Sequence, residues 1–231
     1  MVVCDSRADA DPVAAAAQLL TTTGMYLMPA FDVTRSLGSG REVWTRFARH
    51  WEHLAPDPYA EKSRLRRYGQ YLLCDGVAHR MPDMDCALEP LTDAFAEDPL
   101  LHRLVRLLGR VAAALDDGAE WNVKAHPFRI RSCAGNSLDT EGRPMLEGLH
   151  RDGVTLVGSL LVGRRNAIGG ECSVCDESGH RLLTATLAEP GTLLLSDDRR
   201  TLHSVAPIRP VDRSGPAQRD ILVITVGSRW P

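Results

Sequence analysis

The chain has 231 residues, of which 44% are hydrophobic, and a formal net charge of −3 with acidic and basic residues intermixed. That length supports one well-buried core, so a single domain over 1–231 is expected, and the even charge excludes the basic footprint of nucleic-acid binding. No run approaches the roughly eighteen apolar residues of a membrane span, and the opening MVVCDSRADADP lacks a charged start followed by an apolar core, so the expected location is the cytoplasm.

In chain order, DPVAAAAQLLTTTG predicts a helix with Asp11 as cap, Pro12 in the first turn and Gly24 as stop. MYLMPAF reads as a short strand. GREVWTRFARHWEHLA predicts a second helix, because Val43, Trp44, Phe47, Trp51 and Leu54 recur at helical spacing toward a core. KSRLRRYGQYLLCDG has a basic, strand-forming texture, and DPLLHRLVRLLGRVAAALDD is a strongly periodic helix. Beyond it the chain turns to β: FRIRSCA, LHRDGVTLVGSLLV, CSVCD, RLLTATL, GTLLLSD, HSVAPI and RDILVITVGS are short β-branched and aliphatic runs between Gly, Pro and Asp signals. The expected fold is therefore α+β, mainly β. A helix-rich part (1–120) packs on a sandwich or jelly-roll core (121–231).

The six cysteines, Cys4, Cys74, Cys86, Cys133, Cys172 and Cys175, are scattered in a chain that needs no staples, and they read as reduced thiols. Cys172 and Cys175 are spaced like a metal or redox pair, but no second ligand pair follows at zinc-finger spacing.

The chemistry-bearing segment is LHRDG, where His150 and Asp152 at the start of a strand share a face. A single His-x-Asp also arises by chance as two polar strand-end residues. It gains weight from His203, which follows an apolar strand in GTLLLSDDRRTLHSVAPI. Two histidines and one carboxylate can occupy one face of an octahedral Fe(II) and leave the opposite positions open for a bidentate 2-oxo acid and dioxygen. Arg219 opens QRDILVITV and shares a face with Ile221, Val223 and Thr225. There it can take the distal carboxylate of 2-oxoglutarate through two hydrogen bonds, or else reach out to solvent.

From LHRDG through NAIGGE, LAEPGTLLLSDDRRTLHSVAPI and QRDILVITV, the chain resembles the bacterial 2-oxoglutarate/Fe(II) dioxygenases that include the L-isoleucine 4-hydroxylase. The resemblance implies a double-stranded β-helix core and iron on His150, Asp152 and His203. It also implies 2-oxoglutarate on Arg219, and hydroxylation of an unactivated C–H bond of a small free amino acid. Oxidative ring closure such as cyclopropanation, or desaturation, of a nonstandard amino acid in natural-product biosynthesis would use the same iron ligands. A ligand-binding or sensor domain that has kept the metal residues is the non-enzymatic alternative.

Once Arg219 is given to 2-oxoglutarate, the substrate carboxylate needs another cation. Arg129 and Arg131 share a strand face, and Arg64, Arg67, Tyr68 and Tyr71 are candidates from the N-terminal part. Arg129 is favoured, because FRIRS lies shortly before the HxD strand and its family counterpart carries a basic residue. Asp197, Asp198, Arg199 and Arg200 form a charge cluster of the kind that is usually a solvated loop, with one arginine able to approach the site. Gly169 and Gly170 read as a turn between strands, and Glu147 as solvent-facing. Nothing in the sequence bears on oligomeric state.

Overall fold

The computed structural model describes residues 11–60, 64–82, 87–132 and 148–228. Helix α1 (Pro12–Thr23) begins on Asp11, whose side chain accepts the Val13 N–H at 3.1 Å, and ends at Gly24 in the left-handed region. Strand β1 (Met25–Met28) follows. Residues 30 and 31, expected in that strand, instead open helix α2 (Ala30–Leu37), because extended Pro29 ends the strand and Val33 and Leu37 return to the core at helical spacing. Helix α3 (Arg41–Ala48) tightens into the 3₁₀ turn η1 (Arg49–His53), and Phe47 and Trp51 are fully buried as expected of core residues.

Strands β2 (Ala55–Pro56), β3 (Arg64–Arg66), β4 (Gly69–Cys74) and β5 (Val77–Arg80) come next, then helices α4 (Asp93–Ala96) and α5 (Pro99–Ala113). Asp98 caps α5 by accepting the Leu100 N–H at 2.8 Å. The remaining strands are β6 (Glu120–Ser132), β7 (Leu156–Arg165), β8 (Ala167–Gly169), β9 (Glu171–Asp176), β10 (Arg181–Thr186), β11 (Leu193–Asp197), β12 (Thr201–Val205), β13 (Ile208–Pro210) and β14 (Ala217–Ser228).

A nine-stranded sheet runs β1-β11-β7-β14-β6-β3-β2, with β4 and β5 extending from β6. Facing it are the smaller sheets β10-β9-β12 and β13-β8. This is the jelly-roll arrangement, but the part before residue 120 is not only helical: it supplies β1 through β5 of the large sheet.

Strand β14 explains how the layers are held. Leu222, Ile224 and Val226 point to the helices, where they meet Leu104, Leu108 and Leu156. Ile221 and Val223 point the other way, into the jelly-roll interior with Ile130, Leu161, Cys172 and Val174. A strand buried on both faces must read as a continuous apolar run, and ILVITV does. Each such side chain contributes about 1.5 to 3 kcal/mol by burial, so the two cores fix the strand's register and thereby which face Arg219 occupies. Among the described residues no helix is long and apolar enough to cross a membrane.

A candidate metal centre beside a buried cation pocket

His150 and Asp152 do not lie on a regular strand. They sit in the segment that enters β7, anchored by one antiparallel bridge in which the backbones of His150 and His203 exchange hydrogen bonds of 3.1 and 2.9 Å. That bridge brings the two imidazole rings to 4.5 Å between centroids. The Nε2 atoms of His150 and His203 are 3.7 and 3.8 Å from the two oxygens of Asp152, and one ligand atom from each of the three residues lies within 4.8 Å of the others.

The ring orientations suit a metal. Nδ1 of His150 donates to the Gly148 carbonyl at 2.9 Å, which leaves Nε2 facing the centre, buried and with no hydrogen-bond partner among the described residues. Burial, first of all, pushes the His203 imidazole below its usual pKa; Asp152 and Asp198 pull it up and His150 adds to the lowering. A neutral imidazole is the form that ligates. Two imidazole nitrogens and one carboxylate on a single side form the donor set of a non-haem Fe(II) site with open positions.

Arg219 is 1% exposed and projects into the jelly-roll interior. No carboxylate pairs with it among the described residues; its Nη2 donates to Cys172 Sγ at 3.6 Å, and its Nε, although buried, has no partner. Burial pushes the Cys172 thiol up, so that neighbour is no anion, and burial also works against the charge of Arg219 itself. Arg164 is its cross-strand partner on β7. Nη2 of Arg164 donates to the carbonyls of Ala167 and Gly169 at 2.9 and 2.7 Å, while Nη1 is buried without a hydrogen-bond partner among the described residues. Gly170, at φ +70°, makes room for the pair: a Cβ there would sit 3.2 Å from Arg164 Nη1 and 3.4 Å from Arg219 Cδ. The Gly169–Gly170 pair is thus the expected turn, with a further steric role.

The sequence-based substrate candidates separate by face. Arg129 is only 4% exposed and lies on the helix side of the sheet, where its Nε and Nη2 each reach an Asp220 oxygen at 2.8 Å and Nη2 also reaches Glu52 at 2.9 Å. Its charge is already compensated, and strand alternation turns it away from the interior. The expectation of a substrate role for Arg129 is corrected accordingly. Arg131 shares that face and is exposed. Arg67 is also elsewhere, tying the His53 and Pro90 carbonyls together at 2.6 and 2.7 Å, and Tyr71 is a core residue bonded to the Ala96 carbonyl.

Arg64 and Tyr68 do face inward. Arg64 is opposite Ile130 and is paired with buried Asp57 at 2.5 Å. The Tyr68 ring lies 5.2 Å from His126, and its hydroxyl donates to Gln70 at 2.8 Å. Sequence reasoning missed their neighbour Arg66, whose guanidinium sits 4.8 Å over the Phe128 ring and donates to His126 Nδ1 at 3.0 Å. It also missed Asp198. Asp197 and Asp198 are each 1% exposed, so the charge cluster is no solvated loop: Asp197 is chelated by Arg199, and Asp198 accepts backbone N–H groups beside Asp152. Cys172 and Cys175 sit three apart on β9 and so point to opposite faces, which removes the chelating pair. Glu147 lies outside the described residues.

Residues 48–225 match the model of the 2OG-Fe dioxygenase family. The chain belongs to that family. Among solved structures, this dioxygenase is similar to a bsmA homolog from Methylobium petroleophilum PM1, at 30% identity over 95% of both chains with a TM-score of 0.81. The fold also matches IDO from Bacillus thuringiensis (17% identity, 96% of this chain and 97% of that one, TM-score 0.78). The Fe(II)/(alpha)ketoglutarate-dependent dioxygenase TqaL matches at 17% identity, over 95% and 88%, with a TM-score of 0.81. A search of the curated proteins finds no relative. The enzyme's cofactors are Fe(II) and 2-oxoglutarate, with dioxygen as the oxidant.

Proposed function

We propose that this dioxygenase hydroxylates an unactivated C–H bond of a small free amino acid, with His150, Asp152 and His203 holding iron and Arg219 holding the distal carboxylate of 2-oxoglutarate. The observation that carries this reading is the spacing of the two sites. His203 stands opposite Val174 and Val205 opposite Cys172, so the cysteine that Arg219 contacts is two strand positions from the distal histidine, roughly 7 Å away. A 2-oxo acid chelated at the triad would direct its distal carboxylate along that line. There it meets a buried guanidinium that pairs with no carboxylate among the described residues, with Arg164 adding positive potential.

Iron and 2-oxoglutarate, when bound, would let dioxygen act as the oxidant: 2-oxoglutarate loses carbon dioxide to become succinate, one atom of the dioxygen enters succinate and the other enters the substrate C–H bond. The protein's part is positioning and exclusion of water. Arg219 orients the co-substrate through a bidentate, charge-assisted contact in a dry pocket. Tyr68, His126 and Phe128 form a largely apolar interior wall that suits a short aliphatic chain, edged by Arg64 and Arg66, whose charges are shared with buried Asp57 at 2.5 and 3.7 Å. The resemblance of the LHRDG to QRDILVITV segments supports the amino-acid class.

The test is a mass-spectrometric screen of amino acids with iron, ascorbate, 2-oxoglutarate and oxygen. A product that gains one oxygen atom, formed in step with succinate, supports hydroxylation; loss of two hydrogen atoms would move the assignment to ring closure or desaturation. Succinate formation stimulated by none of the amino acids would overturn the substrate class, and wild-type turnover in a His150→Ala, Asp152→Ala or His203→Ala variant would remove that residue from the triad.

A further inference from the structure

Asp198 touches both arms of the triad from one buried position. Its Oδ2 accepts the N–H groups of Gly153 and Val154 at 2.7 and 3.0 Å, and its Oδ1 accepts that of Asp152 at 3.3 Å. Successive N–H groups converge on one carboxylate because Gly153 takes φ +73°, which L residues avoid. The same Oδ1 lies 3.6 Å from Nδ1 of His203, a buried ring nitrogen that has no hydrogen-bond partner among the described residues. Asp198's own N–H donates to the Thr155 carbonyl at 3.2 Å, closing the turn onto the entry to β7.

We infer that Asp198 is a positioning residue that sets the geometry of the Asp152 turn and the tautomer of His203 together. A carboxylate can only accept, so it favours the proton on Nδ1 and leaves Nε2, the atom turned toward Asp152, with a free lone pair. The Gly148 carbonyl does the same for His150. Both histidines are thereby held in the ligating tautomer, one by a backbone acceptor and one by a side chain that also shapes the carboxylate arm.

Asp198→Asn separates this role from a merely structural one. Its amide oxygen can still receive Gly153 and Val154, but its –NH₂ then faces two positions that need an acceptor, the Asp152 N–H and His203 Nδ1. Donation to Nδ1 would move the His203 proton to Nε2, the metal-facing nitrogen. The expected result is a chain with wild-type circular dichroism whose affinity for Co(II), used as the probe without 2-oxoglutarate, falls roughly 10- to 100-fold. In the ¹⁵N-labelled metal-free protein, long-range histidine ring spectra should show His203 with its proton on Nδ1 in the wild type and on Nε2 in the variant.

Unchanged Co(II) affinity and tautomer in Asp198→Asn would overturn the inference. If that variant fails to fold, the wild-type spectrum alone decides, because a His203 proton on Nε2 there would overturn it equally. The inference rests on the metal assignment, and the two fail differently. A wild type that binds no Co(II), or a His203→Ala variant that binds it normally, removes the metal site itself.

Discussion

Arg129 and Arg219 stand on neighbouring strands one register position apart, Arg129 opposite Asp220 and Arg219 opposite Ile130, yet the two faces of the sheet treat a buried guanidinium in opposite ways. On the helix side Arg129 is closed by a bidentate aspartate and a glutamate. On the interior side Arg219 has a thiol and an unpartnered Nε. Burial alone does not mark a binding residue; a buried cation without its anion does, because the cost of desolvating it is recovered only when a ligand arrives. The two arginines are told apart by their partners.

Exchanging each arginine should therefore have opposite consequences. Arg219→Leu is expected to raise the KM for 2-oxoglutarate by about 2 to 5 kcal/mol, up to several thousand-fold, with little change in unfolding free energy, since an uncompensated buried cation is replaced by an apolar side chain. Steady-state kinetics with the co-substrate varied, beside urea unfolding, would measure both. An unchanged KM would take the co-substrate role from Arg219. Arg129→Met should do the reverse and cost about 3 kcal/mol of stability, because Asp220 is left buried with only Gln218 to bond it, while the KM for either substrate stays near wild type. A variant of normal stability with weakened amino-acid binding would return Arg129 to the substrate list.

The same contrast explains what could be read from the sequence. His150, Asp152, His203 and Arg219 were named through the resemblance carried by LHRDG, GTLLLSDDRRTLHSVAPI and QRDILVITV, since a His-x-Asp pair or a strand-end arginine alone says little, and the fold brings the first three side chains together. The face of Arg129 was not legible: alternation in FRIRS says that residues 129 and 131 share a side, but which side depends on pairing with β14, about ninety positions away. Arg66 was missed for the same reason, since adjacent arginines at 66 and 67 point oppositely and only the register with Phe128 tells which enters the interior. Asp198 looked like part of a solvated DDRR cluster because its partners, three backbone N–H groups beside Asp152, carry no signal in side-chain pattern. The helix α2 was too short to stand out from the strand before it.

His126 sharpens the comparison on the interior face, where it lies opposite Val223 and hence on the side of Arg219. Burial first, then the charges of Arg66 and Lys124, lower its pKa from 6.5 to about 3. Because an arginine can only donate, the Arg66 contact at 3.0 Å makes Nδ1 the acceptor and puts the ring proton on Nε2. The folded chain thus keeps this ring neutral at pH values where the unfolded chain protonates it. The sign follows: the contribution of His126 to stability is complete above about pH 6.5 and declines as pH falls toward 3, since only the unfolded state gains the proton. Between pH 8 and pH 5 that difference amounts to about 2 kcal/mol. His126→Gln keeps an acceptor for Arg66 but cannot titrate, so the variant should lose less stability than the wild type over that interval in urea unfolding at matched salt. Parallel curves for the two proteins would show that the ring is protonated equally in both states, and that the interior face is less hostile to a new cation than the isolation of Arg219 implies.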